Sequence, residues 1–249
     1  MKVPQLKKKT ELKSCHNTNW EDDYSWVHQP NILEVLKDGS KLDPEVRKYL
    51  EEENNYTEHH LKDTKGIQKT LFDEIKGRIK LDDESIPFKD RNYEYWTRTT
   101  TKGNYSIKLR KKIGTDLIEE YWNGDEEKKK LNTEYFGVGD IEVSYNDKIL
   151  GYSLDLKGSE YYTIYLRDIE TNKIISEKIE DTAGGITFSL DDKFIFYSKL
   201  DKFHRPRTIY KHKIGDNISN DKLIFEEKSD AFTVGINLTS DEKYFIITS

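Results

Sequence analysis

Ile186–Tyr210 reads ITFSLDDKFIFYSKLDKFHRPRTIY, and Ser144–Tyr165 upstream reads SYNDKILGYSLDLKGSEYYTIY. Three features recur at one offset of 45 residues: Asp147-Lys148 against Asp192-Lys193, Ser153 against Ser198, and Thr163-Ile164-Tyr165 against Thr208-Ile209-Tyr210. A third copy opens at Ser240, where Asp241 to Ile247 repeats the turn and the strand after it, with Lys243 lying 50 residues beyond Lys193. In Ile186–Ser189 and Phe194–Ser198 bulky apolar and aromatic residues flank Leu190-Asp191-Asp192-Lys193, a turn sequence, which predicts a hairpin. Tyr161–Arg167 and Thr208–Lys213 add a third strand to each copy, and Ile174–Ile179 and Leu223–Glu226 a fourth. Four antiparallel strands repeating every ~40–50 residues are the sequence sign of β-propeller blades. A β-sandwich or an open meander is the competing reading, but such strands rarely repeat the same residues at the same offset.

Upstream, Tyr93–Arg98, Tyr105–Arg110 and Leu117–Trp122 read as a less regular first blade, with turns at Gly103-Asn104 and Gly114-Thr115-Asp116. Aligning Asn92 with Lys148 stretches its spacing to 56 residues, the excess falling in a charged loop, Gly124–Leu131. The expected blades are therefore about 86–132, 133–180 and 181–230, with a partial one at 231–249. Before them, residues 43–85 read as helical. Asp43 is a natural N-cap with Pro44 at the first helical position, and Gly66 is expected to separate a first helix from a second. In that second helix Ile67, Leu71, Ile75 and Ile79 build one apolar stripe. Residues 1–42, with Trp20 and Trp26 in an otherwise irregular run, read as an arm that packs on something larger. The fold class is thus mainly β with an N-terminal α-helical segment, the β part an incomplete propeller of about three and a half four-stranded blades.

Composition narrows the function. The charged fraction of 35% hints at disorder, but 16 Tyr, 10 Phe and 4 Trp argue for a packed core. The net charge of -6, with Lys and Arg scattered, leaves no footprint for a phosphate backbone, so no nucleic-acid partner is expected. Lys7-Lys8-Lys9 and Lys128-Lys129-Lys130 read as solvated tail and loop. No run approaches the ~20 apolar residues of a membrane span, and Met1 opens no signal-length apolar stretch, so a cytoplasmic protein is expected. The single cysteine, Cys15, has no internal disulfide partner.

Catalytic signatures are missing. There is no Gly-x-Ser-x-Gly elbow, H-E-x-x-H helix, Walker loop or G-x-G-x-x-G fingerprint, so no catalytic, cofactor-binding or metal-binding residue is expected in this chain. His59-His60 are adjacent and point to different faces of a helix, which makes a poor metal pair. Cys15-His16 are neighbours that do not align thiolate with imidazole. His204-Arg205-Pro206-Arg207 is the most distinctive loop. Its basic groups could face a neighbouring domain or an acidic substrate, or could pair with nearby carboxylates across a connection stiffened by Pro206. Gly184-Gly185 reads as a tight approach to the third blade; no helix and no Lys-[ST] follow, as a phosphate cradle would need.

The order of features resembles the N-terminal part of the prolyl oligopeptidase family of serine peptidases, on its oligopeptidase B branch. The resemblance rests on Asp22-Asp23-Tyr24-Ser25-Trp26 and Tyr49-Leu50-Glu51-Glu52-Glu53-Asn54, then Glu74 to Lys80, Ile86-Pro87-Phe88 and Tyr95-Trp96-Thr97-Arg98. It continues from Tyr197 through Asp201, His204-Arg205-Pro206 and Tyr210 to His212 and Gly215. It implies a seven-bladed propeller capping a C-terminal α/β-hydrolase catalytic domain with a Ser-Asp-His triad, against which the arm packs. It further implies cleavage of short peptide substrates after Lys or Arg, with the propeller limiting access. Residues 86–249 supply little more than three of the seven blades. The expectation is an N-terminal fragment or a truncated gene product, inactive by itself. A stand-alone interaction module, or one half of a split peptidase, is the alternative.

Overall fold

The computed structural model describes residues 1–249. The chain divides into two compact units, Met1–Lys80 and Leu81–Ser249, and no helix is long and apolar enough to cross a membrane.

In the first unit the arm is less irregular than its sequence indicates. Strands β1 (Glu11–Cys15) and β2 (Thr18–Asp22) form an antiparallel hairpin. Its two-residue turn, His16 (φ 47) and Asn17 (φ 62), places both residues in the left-handed region, the geometry that matches strand twist. A short helix α1 (Ile32–Lys37) precedes α2 (Pro44–Leu61). There the Asp43 carboxylate accepts from the backbone N–H of Glu45 (2.8 Å) and Val46 (3.1 Å), capping the helix as its sequence predicts. The break before α3 (Lys65–Gly77) is not at Gly66, which lies inside α3. It is a 3-10 turn at Lys62–Thr64, where the Thr64 hydroxyl donates to Leu61 O (2.7 Å). The α3 stripe forms over Ile67, Leu71 and Ile75, with Ile79 falling two residues past the helix end, and stays uncovered: the four are 61, 50, 61 and 57% exposed.

The second unit is built from short antiparallel sheets. In the first sheet, β5 (Tyr93–Thr99) pairs on one side with β3 (Asp83–Glu84) and β4 (Phe88–Asp90). On its other side lies β6 (Ile107–Lys112), followed by β7 (Ile118–Asn123). Gly124–Leu131, expected as a charged loop, is instead a helix, α4. Asn123 caps it by accepting from Glu126 N (3.2 Å), Asp125, Glu126 and Glu127 occupy its first turn and Lys128, Lys129 and Lys130 its last. That charge order complements the helix dipole, and Asn132 in the left-handed region ends it.

The second sheet runs β8 (Gly137–Val143), β9 (Ile149–Asp155), β10 (Tyr162–Asp168) and β11 (Ile179–Thr182). The fourth strand starts later than Ile174, because residues 174–178 meet β10 only through the Arg167–Ile174 bridge. The third sheet runs β12 (Thr187–Phe188), β13 (Phe194–Leu200), β14 (Pro206–Lys213) and β15 (Lys222–Glu226). It joins the second through Thr182 against Lys199. A final hairpin, β16 (Gly235–Leu238) with β17 (Phe245–Thr248), follows. Between the second and third sheets Ile164, Leu166, Ile179, Ile186, Phe188, Ile195 and Tyr197 pack as one core; Trp122, Phe136, Leu150, Tyr152 and Leu154 form another between the first and second.

The repeated turn explains the register. Ser144, Ser189 and Thr239 each donate a side-chain hydroxyl to the residue two positions on, Asn146 (2.8 Å), Asp191 (2.7 Å) and Asp241 (2.6 Å). Each then accepts from an N–H at the start of the next strand, Ile149 and Phe194 being the first strand residues and Tyr244 lying just before β17. The left-handed residue of each turn is Asp147 (φ 62), Asp192 (φ 55) and Glu242 (φ 57). The first two reach back into the preceding sheet. Asp147 accepts from Asn92 Nδ2 and Tyr95 OH, both at 2.9 Å, and Asp192 from the N–H groups of Tyr145 (2.6 Å) and Asn146 (2.9 Å).

These turns all lie at one end of the strands, the turn face. The connections 100–106, 156–161 and 201–205, and those between sheets at 124–136, 183–186 and 227–234, lie at the other, the loop face. Gly184 (φ +94) belongs to the latter, and a Cβ there would fall 2.9 Å from Tyr162 Cγ. Gly184→Val is therefore expected to cost about 1–3 kcal/mol of stability, read as a lowered urea midpoint. Gly185, with open space around its Cα, tolerates alanine within about 0.5 kcal/mol. Equal losses at both positions would refute the strain account.

Candidate functional site

The first strands of successive sheets, β4, β8, β12 and β16, contribute residues to one cavity of about 470 Å³. Its charged lining is unbalanced: Asp90, Asp140, Glu142 and Glu242 against Arg91 alone. Arg91 is already engaged, because Nη2 donates to Asp90 (2.7 Å) and its guanidinium stacks 4.6 Å over the Tyr145 ring. Asp140 holds two sheets together, accepting from Ile141 N and Ile186 N, both at 2.9 Å. Glu142 is an exposed side chain on the cavity wall, although many protein atoms surround its carboxyl. Desolvation first, then the neighbouring Asp140 carboxylate, push its acid up to about 7, with Arg91 opposing.

The raised Glu142 acid has a testable sign. The folded chain holds this proton more tightly than the unfolded chain, so the group lowers stability progressively as pH rises from about 4.3 through 7. Solvent screening trims the size of the effect. Glu142→Gln is expected to match the parent in thermal midpoint near pH 4 and exceed it at pH 8. A constant difference across that range would refute the shift.

The other sequence candidates resolve as structural groups. Arg205 donates to Asp230 O (2.6 Å), Arg207 donates to Ser229 O and to Phe232 O (3.3 Å), and both approach Asp201 and Asp230 carboxylates. The two arginines thus clamp the connection into β16. His204 (φ 61) bonds through Nε2 to Ser159 O (3.0 Å) and lies edge-on to Tyr161. Gly184 N donates to Thr182 Oγ1 (3.2 Å) at the approach to β12. His59 and His60 sit edge to face at 5.3 Å on α2, and Cys15 is exposed at the hairpin turn beside His16. No group of three or more His, Cys, Asp or Glu side chains is placed to hold a metal ion.

One constellation escaped the sequence. Ser176 Oγ lies 2.8 Å from His212 Nε2, and His212 Nδ1 lies 2.6 Å from Asp221 Oδ1, the bonding order of a hydrolase triad. Its surroundings rule out that use. His212 has no exposed surface, Ser176 Oγ also accepts from Gly215 N (3.3 Å), and Tyr197 OH donates to Asp221 Oδ2 (2.7 Å). Every acceptor is occupied and no substrate reaches the imidazole, so the group braces the link before β11 against β13, β14 and the segment before β15. Its members lie 36 and 9 residues apart, a spacing no short motif reports. The cavity carboxylates were equally hidden, since Asp90, the Asp140 and Glu142 pair on β8, and Glu242 come from three different sheets.

Repeated four-stranded sheets whose first strands share a cavity define a β-propeller domain. A model of the family described as prolyl oligopeptidase, N-terminal beta-propeller domain, matches residues 4–249, and the chain belongs to that family. It is 28% identical to dipeptidyl aminopeptidase BI of Pseudoxanthomonas mexicana over 98% of this chain and 35% of that protein. It is 27% identical to Protease 2 of Moraxella lacunata over 100% of this chain and 35% of that protein. The chain thus spans about a third of the length of these curated relatives. Oligopeptidase B from Leishmania major shares the fold with a TM-score of 0.86 at 22% identity, over 98% of this chain and 36% of that one.

Proposed function

We propose that this chain is the access-controlling propeller region of a cytoplasmic serine-type oligopeptidase that cleaves short peptides after Lys or Arg. It works with an α/β-hydrolase catalytic domain supplied as a continuation or as a second polypeptide, and is inactive by itself. The single observation that carries this reading is the family match over residues 4–249 within relatives about three times as long. In the proposed division, residues 1–42 are an arm, 43–85 a helical segment and 86–249 blades. The cavity is then part of the central channel, and its excess of carboxylates favours cationic peptides over acidic ones. The uncovered α3 stripe supports a partner-dependent chain over a self-contained module.

The test uses three fluorogenic peptides, ending in Arg, Lys and Pro before the scissile bond, with the chain alone and with its hydrolase domain. No turnover alone, and turnover of the Arg and Lys peptides on assembly, is the expected result. Cleavage only after Pro would overturn the specificity, and activity of the chain alone would overturn the division of labour.

A further inference from the structure

We propose that Arg91 and Glu142 form a proton-operated clasp across the cavity: Arg91 stays on Asp90 while Glu142 carries its proton, and crosses to Glu142 once that proton has left to solvent, tying the first sheet to the second. The clasp stands on the second unit alone. Its consequence, a channel that narrows to peptides as pH rises, rests on the reading proposed above.

Arg91 is placed to change partners. It sits at φ 51 in the tight turn between β4 and β5, whose other residue, Asn92, is fixed by donating to Asp147 (2.9 Å). The backbone is therefore held, and the side chain is the part that moves. Nη2 donates to Asp90 (2.7 Å), whereas Nε is buried without a hydrogen-bond partner. Asp147 Oδ1 lies 4.0 Å from Nε, too far to accept, and already takes Tyr95 OH (2.9 Å). The guanidinium rests 4.6 Å over the Tyr145 ring, a flat surface across which it slides while keeping its cation–π contact. Asp192 in turn pins Tyr145 by accepting from its N–H (2.6 Å).

Glu142 supplies the acceptor that this cation lacks. Both side chains line the same cavity. Asp140, two positions earlier on β8, is occupied by Ile141 N and Ile186 N, but no hydrogen bond bears on the Glu142 carboxyl. The groups facing it are Asp140 on its own strand, Asp90 and Arg91 in the β4–β5 turn, Tyr121 on β7, Tyr145 just after β8, and Glu242 in the last hairpin. Arg91 is the single cation among them, so it alone can answer the new charge. Desolvation first, and Asp140 next, hold the Glu142 acid up at about 7, which sets the exchange near neutral pH.

Double-mutant cycles on the thermal midpoint, run at about pH 5.5 and about pH 8.5, test the exchange. Arg91→Gln is expected to couple to Asp90→Asn at the lower pH and to Glu142→Gln at the higher, with Glu242→Gln uncoupled at both. Coupling to Glu142 that is missing at the higher pH, or equal at both, would overturn the clasp. The narrowing is read by maleimide labelling of Asn237→Cys on the β16 wall, as a rate relative to the exposed Cys15. From the lower to the higher pH this ratio is expected to fall several-fold in the parent background and to stay level with Glu142→Gln; the same ratio in both backgrounds overturns the narrowing. Labelling leaves Arg91 intact, so it stands even where Arg91→Gln fails to fold. Both measurements use the chain without a hydrolase domain, so absence of peptidase activity on assembly would sink the enzyme reading and leave the clasp in place.

Discussion

Arg167→Ala is expected to lower the stability of the second unit by about 3–5 kcal/mol, a fall in thermal midpoint on the order of 10 °C. Arg167 and Glu127 are both buried side chains, joined at 2.7 Å, and the guanidinium lies 5.1 Å over Tyr152 and 5.6 Å over Trp122. Alanine removes the cation and leaves the Glu127 carboxylate inside with only Lys130, at 3.1 Å on the solvent side. An uncompensated buried charge costs more than the pair was worth. The companion variant, Arg167→Met with Glu127→Leu, fills the same volume without charge and should recover most of the loss. A single variant within about 1 kcal/mol of the parent by urea denaturation would show that water already reaches the pair.

His212→Ala is expected to cost about 3 kcal/mol, from two sources. It opens a void where the side chain has no exposed surface, and it strands two polar groups. Asp221 keeps only Tyr197, whose hydroxyl burial first and Asp221 next hold well above the usual range, and Ser176 keeps only Gly215 N. Ser176→Ala removes the bond to His212 and the longer one from Gly215 N, both at the partly exposed end of the group, and should cost about 1–2 kcal/mol. Equal losses for the two substitutions would mean that the bond between them, rather than burial of the ring, holds this brace together.

The repeat made the blades legible, because a turn that must place one residue in the left-handed region and bond its neighbours through Ser or Thr tolerates few sequences. Asp43-Pro44 was legible for the same local reason. What escaped reading depended on context. The helix α4 looked like a loop because eight residues with three acids and three lysines have no apolar stripe, and its stability comes from Asn123, the charge order and Glu127 reaching Arg167. The β1–β2 hairpin was missed because its turn is His16-Asn17, without the glycine that usually marks such a turn. Gly66 looked like a break, yet the chain kinks where Thr64 turns its hydroxyl back on Leu61. The cavity acids and the Ser176–His212–Asp221 brace are assembled only by tertiary structure, so no window along the chain contains them.

The backward reach of Asp147 and Asp192 also sets a timetable for synthesis. The first and second sheets are each fastened by an acid that belongs to the next one, 46 to 55 residues later in the chain. At roughly 5–20 residues per second, such a newly made blade waits about 2–11 s on the ribosome before its successor emerges to lock it. During that interval its far edge is open, and rapid translation, which shortens the wait, protects this protein more than one whose units close upon themselves.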